Sequence, residues 1–342
     1  ATLEVEVLDL IEVRIPDAPG APGWADFVSG INIRRRVEAH AYDCDDFGWE
    51  PEEELPHYQD AAAPQRMLLA RDHRGFVGRA RYETELSGDT AWVNVEVPPE
   101  FRGEGIGTAL AAAVEAKVHS LGFRKAIAYV PIREEEGPRL AAPTGAGSVP
   151  ANSRDVRFLQ RRGYVLEQVE RASRLALPMV AAAERLEAAR ARIAPDYALQ
   201  TWIGATPKRW LVQMAELLTR MSTDAPTAGL AEPERLWTAE VVQADEKRLA
   251  DDPSAKFTAV AVHLSTDALA GFTSMSVPPR LDRPVVQWST LVRREHRGSG
   301  LGLAIKLANI GALQQAAPGH PSITTSNAEE NLQMLAVNEA LG

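Results

Sequence analysis

Apolar and polar positions alternate in runs at 67–72, 76–85 and 90–97, and a fourth β-branched run covers 124–131. A period of two predicts strands at all four. After the third run the period changes. Ile106, Leu110, Val114, Val118 and Leu121 recur at spacings of four, four, four and three, which puts them on one core-facing helix stripe. A Gly- and Pro-rich loop over 134–150 leads to a helix near 151–162 stopped by Gly163, then to a strand from 164 to 177 ended by Pro178. The charged helical pattern of 181–193 reads as a connector. Beyond it the scheme returns, with a strand near 196–202, helices near 207–221 and 232–250, and strands near 256–263, 267–276 and 284–292. A helix near 299–316, a strand at 322–325 and a helix at 328–341 complete it. The helix at 299–316 is apolar nearly all round and is expected to be more buried than its counterpart at 106–121.

The return is an internal repeat. Val93-Asn94-Val95-Glu96-Val97-Pro98-Pro99-Glu100-Phe101-Arg102-Gly103-Glu104-Gly105-Ile106-Gly107 runs into an Ala-rich helix, and Trp288-Ser289-Thr290-Leu291-Val292-Arg293-Arg294-Glu295-His296-Arg297-Gly298-Ser299-Gly300-Leu301-Gly302 does the same. Arg102 and Arg297 lie 195 residues apart. Both copies read strand, short loop, Arg-Gly-x-Gly-x-Gly, helix. The expected organisation is an N-terminal domain over 1–178, a connector helix over 179–195 and a related C-terminal domain over 196–342. The chain stops at Leu341-Gly342, where the first copy begins a further strand after Gly163. An open sheet edge is a liability, so either the natural chain continues or a neighbouring segment completes that sheet.

The length of 342 residues fits two domains, each able to bury a core. Hydrophobic residues at 45% and charged residues at 25% are ordinary globular values and exclude a disordered or disulfide-scaffold chain. Net charge is −10, which argues against a nucleic-acid binder and suits a cationic substrate. Cys44 is the single cysteine, so neither an internal disulfide nor a thiolate metal site is available; a reduced cytosolic thiol and a cytoplasmic protein are expected. The longest near-apolar stretch, Leu175 to Ala183, is interrupted by a proline and is far short of the roughly 20 residues of a membrane span, so no membrane partner is expected. The basic residues are 31 Arg against 6 Lys, a bias that suggests a GC-rich bacterial genome. The seven histidines show no metal spacing, and no metal is expected.

At each loop a strand ends, the chain turns and a helix begins. Glycines at 103, 105 and 107, and at 298, 300 and 302, leave backbone N–H groups uncovered beside an arginine, a site for a phosphate or diphosphate. A nucleotide-triphosphate loop would need Gly-Lys-Ser/Thr at its end, and neither copy has it. A dinucleotide fingerprint would need G-x-G-x-x-G, whereas position 108 is Thr and 303 is Leu. The third ligand for such a loop is the diphosphate of coenzyme A.

Arg102-x-x-Gly105-x-Gly107 and Arg297-x-x-Gly300-x-Gly302 resemble the Arg/Gln-x-x-Gly-x-Gly/Ala loop of the GCN5-related N-acetyltransferase (GNAT) superfamily. The strand-end sequence Val97 to Gly103, the segment with Asn152, Phe158-Leu159 and Gly163-Tyr164, and the segment with Thr325-Ser326-Asn327, Asn331, Met334 and Asn338-Glu339 add to the likeness. The arrangement is similar to tandem acetyltransferases of the mycothiol synthase kind. The resemblance implies an α/β (α+β) fold of two tandem domains, each a mixed, mostly antiparallel sheet flanked by helices, in which the strand before the loop splays from the next one. It implies acetyl-CoA as cofactor, a small-molecule amine as acceptor, and direct attack of the amine on the thioester. Cofactor contacts would come from Val95, Val97, Arg102, Gly103, Glu104, Gly105, Ile106, Gly107, Thr108 and Asn152 in the first copy. In the second they would come from Leu291, Val292, Arg297, Gly298, Ser299, Gly300, Leu301, Gly302, Leu303 and Asn331. A strand-end N–H near Val97 or Val292 would polarise the acetyl carbonyl.

Family members carry a tyrosine as thiolate acid four residues before the Gly that ends the late helix; here those positions are Leu159 and Asn338. Leucine donates no proton, and asparagine can hydrogen-bond a sulfur without being a useful acid. The family's acidic position three before the strand-end Val is Asn94 or Ser289. Glu96 is the carboxylate left in the strands as candidate base; the alternative is a paired structural glutamate. Catalytic candidates are therefore Glu96 and Asn338. Arg293 and Arg294 could reach the 3′-phosphate of coenzyme A or form a solvated edge, and His296 is expected to pack or hydrogen-bond in the turn. Arg34-Arg35-Arg36 reads as a solvated helix face. The acidic run Asp43, Asp45, Asp46, Glu50, Glu52, Glu53 and Glu54 reads as a solvated loop that could also draw in a cationic amine. Trp24, Trp49, Trp202, Trp210 and Trp237 are expected in cores or interfaces. The resemblance to the mycothiol synthase arrangement favours the second half as the working one, on a monomer or homodimer. A non-catalytic acyl-CoA binding or sensing protein is the alternative from another class.

Overall fold

The computed structural model describes residues 8–84, 88–193, 195–224, 226–230 and 234–342. The chain divides into two units, residues 1–140 with 149–165, and residues 141–148 with 166–342.

The first unit is built on a five-stranded sheet in the order β1-β2-β3-β4-β5: β1 Asp9–Glu12, β2 Gln65–Asp72, β3 Gly75–Thr84, β4 Thr90–Glu96 and β5 Lys125–Ile127. All neighbours are antiparallel except β4 and β5. Helices α1 (Trp24–Tyr42) and α2 (Pro51–Tyr58) precede β2, and α3 (Ile106–Ser120) joins β4 to β5. Four of the five residues of the stripe expected on α3 form its buried face: Ile106, Leu110, Val114 and Val118 pack with Val77, Ala80 and Val93 of the sheet, whereas Leu121 ends the helix and is exposed. Helix α1 sets Phe27 and Ile31 against Met67 and Leu69 on β2. A short hairpin, β6 (Arg139–Ala141) with β7 (Ser148–Pro150), and helix α4 (Arg154–Arg161), capped by the Ser153 hydroxyl, follow.

The second unit holds a six-stranded sheet in the order β8-β13-β12-β11-β10-β9: β8 Glu170–Ala176, β9 Tyr197–Ile203, β10 Ala255–His263, β11 Ala268–Val277, β12 Val285–Val292 and β13 Ser322–Ala328. The parallel pair is β12 with β13. Helices α5 (Ala182–Ile193), α6 (Leu211–Asp224), α7 (Ala239–Arg248), α8 (Leu301–Ala316) and α9 (Leu332–Leu341) surround it. As expected from its pattern, α8 is buried on more of its circumference than α3, through Leu301, Ala304, Ile305, Leu307, Ala308, Ile310 and Leu313. Trp210 is in the core of this unit, with Trp202 packed against the same cluster. Each unit is thus a mixed, mostly antiparallel sheet flanked by helices.

Three sequence expectations need correction. The strand placed at the end of the first domain is shorter and belongs to the second sheet, where β8 pairs antiparallel with β13 from Ala176↔Ser322 to Glu170↔Ala328. A boundary at 178 therefore gives way to one near 165, and the edge that lacked a strand is completed by the segment between the repeats. Residues 182–193 are helical but do not form a free connector, because Ala189 and Ile193 are buried in the second core. The acidic run is not one solvated loop. Pro51 opens α2, Glu50 and Glu53 form its capping box, and Glu53 and Glu54 are buried.

A glycine on the third strand of each repeat permits a close approach, of the loop strand β12 at Gly271 and of helix α3 at Gly78. A Cβ on Gly271 would lie 2.6 Å from the Leu291 carbonyl oxygen, and one on Gly78 would lie 2.8 Å from Leu110 Cδ1 and 2.9 Å from Ile106 Cγ2. Backbone cannot yield, whereas side-chain ends can. Gly271→Ala is expected to destabilise its unit by about 2–3 kcal/mol and Gly78→Ala by about 1 kcal/mol. Urea unfolding of the two variants checks the order.

Candidate functional site

The site in each unit starts from an interrupted parallel pair. Pairing of β4 with β5 stops at Trp92↔Ile127, yet β4 continues to Glu96; β12 pairs with β13 at Val285 and Val286 and continues to Val292. Past those points the strands part, as the resemblance implied. In the first unit the Asn94 amide donates across this opening to the Tyr129 carbonyl oxygen.

The two glycine loops have one geometry. A single 3-10 turn, 99–101 or 294–296, leads to a loop whose last residue, Gly105 or Gly300, sits at φ 87° or 85° and starts the helix without a side-chain cap. A side chain at such a φ is strained, and the missing cap leaves the first amides of α3 and α8 as donors for an anion. Arg102 Nε donates to the Val97 carbonyl oxygen at 2.9 Å, and Arg297 Nε donates to that of Val292 at 3.0 Å.

Their surroundings differ. In the first unit a cavity of about 780 Å³ opens at the loop. Of the residues expected at the cofactor, Val95, Val97, Arg102, Gly103, Gly105, Gly107 and Thr108 line it, together with Glu96. Three others do not. Glu104 pairs with Arg74, Ile106 is buried in the core, and Asn152 precedes the Ser153 cap without reaching the cavity. Sequence reasoning missed Arg154, Arg157 and Arg161, which line the cavity from one face of α4 and make no ion pair among the described residues. Their i, i+3, i+7 spacing was the available signal. Gly103 sits at φ 98°, where a side chain is strained, and a Cβ there would also meet the movable end of Arg154 at 2.8 Å. The wall also holds Phe158 and Tyr129.

The far wall of this cavity is a buried charge network. Glu96, 8% exposed, accepts from Arg79 Nη1 at 3.1 Å, and fully buried Arg79 also donates to the Tyr58 hydroxyl. Arg34 lies between Glu38, at 2.8 Å, and Glu54. The arginine run expected as a solvated face is therefore engaged throughout: Arg35 pairs with Glu50 and Arg36 with Glu100. Burial pushes Glu38 above the usual carboxylate range despite Arg34, whereas at Glu54 the nearby Arg34, His57 and Arg79 overcome burial and hold its pKa down. One oxygen of Glu96 and one of Glu38 have no hydrogen-bond partner. With Arg81 and its partner Glu83, four carboxylates, Glu38, Glu54, Glu83 and Glu96, face three guanidinium groups, so the network is one cation short.

In the second unit the loop is tied down. Asp224, almost fully buried, accepts from Arg297 Nη2 at 3.0 Å and from Arg294 Nη2 at 2.9 Å, and Arg293 pairs with Glu216 at 2.6 Å. The His296 ring meets the Tyr197 hydroxyl at 2.9 Å and packs tilted against the His263 ring, the packing role expected for it. Cavities of about 480 and 300 Å³ in this unit are lined by residues other than 297–302. Of the remaining expected contacts, Leu291 and Leu301 are buried in cores, Asn331 caps α9, and Asn338 is bonded to Lys306 and Asn327. Gly298, Ser299, Gly302 and Leu303 stay with the tied loop, and Val292 ends the strand beside it. Among the described residues no group of three or more His, Cys, Asp or Glu could hold a metal, and no helix is long and apolar enough to cross a membrane.

This geometry is that of a tandem GNAT fold. Residues 35–138 match the acetyltransferase (GNAT) family. The chain is similar in structure to a tandem GNAT protein from the clavulanic acid biosynthesis pathway, with 23% identity, a TM-score of 0.70, and 98% of this chain and 94% of that one covered. A GCN5-related N-acetyltransferase from Sphaerobacter thermophilus is also similar, at 16% identity and a TM-score of 0.61, covering 97% of this chain and 91% of that one. The sequence matches none of the curated proteins. At these identities the structural likenesses establish the fold, which both repeats share.

Replacing Asp224 leaves Arg297 and Arg294 facing each other without their carboxylate. Asp224→Ala is expected to destabilise the second unit by about 1–3 kcal/mol, read as a lowered urea midpoint.

Proposed function

We propose that this protein is an acetyl-CoA-dependent acyltransferase that acetylates the amine of a small molecule, and that the first unit does the chemistry. One observation carries the reading: a single cavity runs from the uncapped glycine loop, along the parted strand β4, to a buried carboxylate network that lacks one cation. This reverses the assignment of the work to the second half, whose loop arginines are held by Asp224.

The first unit fits the cofactor. Amides at the start of α3 and the Arg102 guanidinium suit a diphosphate, Gly103 leaves room that a side chain would take, and Arg154, Arg157 and Arg161 offer unpaired positive charge along the same wall. Bound there, acetyl-CoA would supply an acyl group activated as a thioester. The chain's own residues would do the rest. Glu38 and Glu96 would receive the acceptor as an ammonium ion. An alkyl ammonium has a pKa near 10.4 and must lose a proton before it attacks. The unpartnered oxygen of Glu96 is the acceptor for that proton, and Arg79 holds the carboxylate in place. With Leu159 apolar, Tyr129 is the phenol on the cavity wall that would protonate the departing thiolate. A cytoplasmic setting and a monomer or homodimer complete the reading, consistent with a lone, unbridged Cys44.

Leu159 also motivates the second reading, a coenzyme A sensor without turnover. A thiol-release assay over a panel of amines separates the two, and tight binding with no turnover on any amine would overturn the enzyme reading. Calorimetry is expected to count one acetyl-CoA per chain, lost in Gly105→Val and kept in Gly300→Val. Glu96→Gln is expected to lower kcat by about 10²–10⁴ while leaving acetyl-CoA affinity unchanged.

A further inference from the structure

The second copy departs from the first at two neighbouring positions, one buried and one half-buried. Counted from the loop arginines, Lys306 on α8 takes the place of Ala111 on α3. Counted from the glycines that end the late helices, Asn338 takes the place of Leu159. Two apolar side chains have thus become a lysine and an asparagine, and they touch. Lys306 Nζ donates to Asn338 Oδ1 at 2.6 Å, and Asn338 Nδ2 donates on to Asn327 Oδ1 at 2.7 Å.

Lys306 is only 3% exposed and makes no ion pair among the described residues. Burial draws its pKa down to about 8, and no neighbouring carboxylate opposes the shift. An ammonium group has three N–H donors, and the protein gives this one a single neutral acceptor. A buried cation without a counterion costs several kcal/mol, a cost that an apolar residue like Ala111 avoids. The charge also does not face solid core. It lines a cavity of about 300 Å³, at the small end of ligand sites. Gln287 and Thr325 stand on the same wall, and Leu175, Ile310, Ile323 and Leu335 make it largely apolar. The acidic residue of the lining, Glu339, is committed to Arg171.

We infer that this cavity binds a small monocarboxylic acid, its head group on Lys306 and its short alkyl tail against Ile310, Ile323 and Leu335. Arg171 and Arg174 also stand on the lining, but both are engaged, Arg171 with Glu329 and Glu339, which leaves the Lys306 ammonium to match one carboxylate. A phosphate dianion would call for more uncommitted donors. The cofactor is a poor fit, because loop residues 297–302 form no part of the lining. The inference stands whether or not the first unit transfers acetyl groups.

The test uses the full chain, with butyrate as probe and calorimetry and thermal unfolding as readouts. Butyrate is expected to bind and raise the melting temperature, and Lys306→Met to weaken binding at least about tenfold, or about 1.4 kcal/mol. Without ligand, Lys306→Met should melt no lower than the parent, because it removes a buried charge. If that variant fails to fold, Ile323→Phe, which keeps the lysine and fills the tail space, is expected to lose butyrate binding instead. The inference is overturned if butyrate does not bind the parent chain, or binds Lys306→Met equally. It is also overturned if inorganic phosphate binds in place of butyrate, or if saturating acetyl-CoA displaces it.

Discussion

The structure turns on one hydrogen bond made twice: the loop arginine's Nε donates to the carbonyl oxygen of the strand-end valine, Arg102 to Val97 and Arg297 to Val292. A strand that leaves its parallel partner exposes backbone groups that need new partners or a ligand. The arginine satisfies the last carbonyl, fixes the corner between strand and helix, and aims the uncapped helix start outward. Glycines follow from this geometry, because Gly105 and Gly300 sit at φ values that burden any side chain. The bond is kept in both copies, so the corner is built the same way although its surroundings differ.

The same corner can nevertheless serve different ends, because the charges around it are not part of it. In the first unit Arg102 has only a long contact of 3.5 Å to Asp155, and three more arginines face the opening unpaired. In the second, Asp224 takes both Arg297 and Arg294. A carboxylate already bound at 3.0 Å competes with any incoming phosphate for the same donors, and a buried one is displaced only at the cost of leaving it uncompensated. A duplicated fold can therefore keep its architecture while one copy loses an anion site through a single acidic residue on a neighbouring helix.

Most of the architecture was legible in the sequence because it rests on period and punctuation. Alternation gave β2, β3 and β4 nearly residue for residue, and the stripe from Ile106 to Val118 gave α3. What escaped was set by long-range pairing. Nothing local distinguishes β8 as a strand of the second sheet, since its partner β13 lies some 150 residues downstream. Helix α2 was hidden by its charge: Glu53 and Glu54 read as solvent-facing until the capping box and Arg34 account for them. At the site, the loops were visible because glycine leaves a pattern, whereas the far wall was not. Glu38, Arg79 and Glu96 come from a helix and two strands, and only the fold brings them together.

The two units also answer differently to the problem of a polar group in a core. In the first, Arg79 is fully buried, but Glu96 and Tyr58 accept from its two terminal nitrogens, so the network is nearly balanced, and Glu38, Arg79 and Glu96 stand on the cavity wall. In the second, buried Lys306 leads through half-buried Asn338 to Asn327, a polar chain with a positive charge and no carboxylate. One interior is short of a cation and the other of an anion. Since unpaired buried charge is expensive in either sign, each imbalance is the kind of feature that a bound partner of opposite charge would relieve. Duplication makes the comparison informative: positions that are apolar in one copy and charged in the other owe nothing to the requirements of the shared fold.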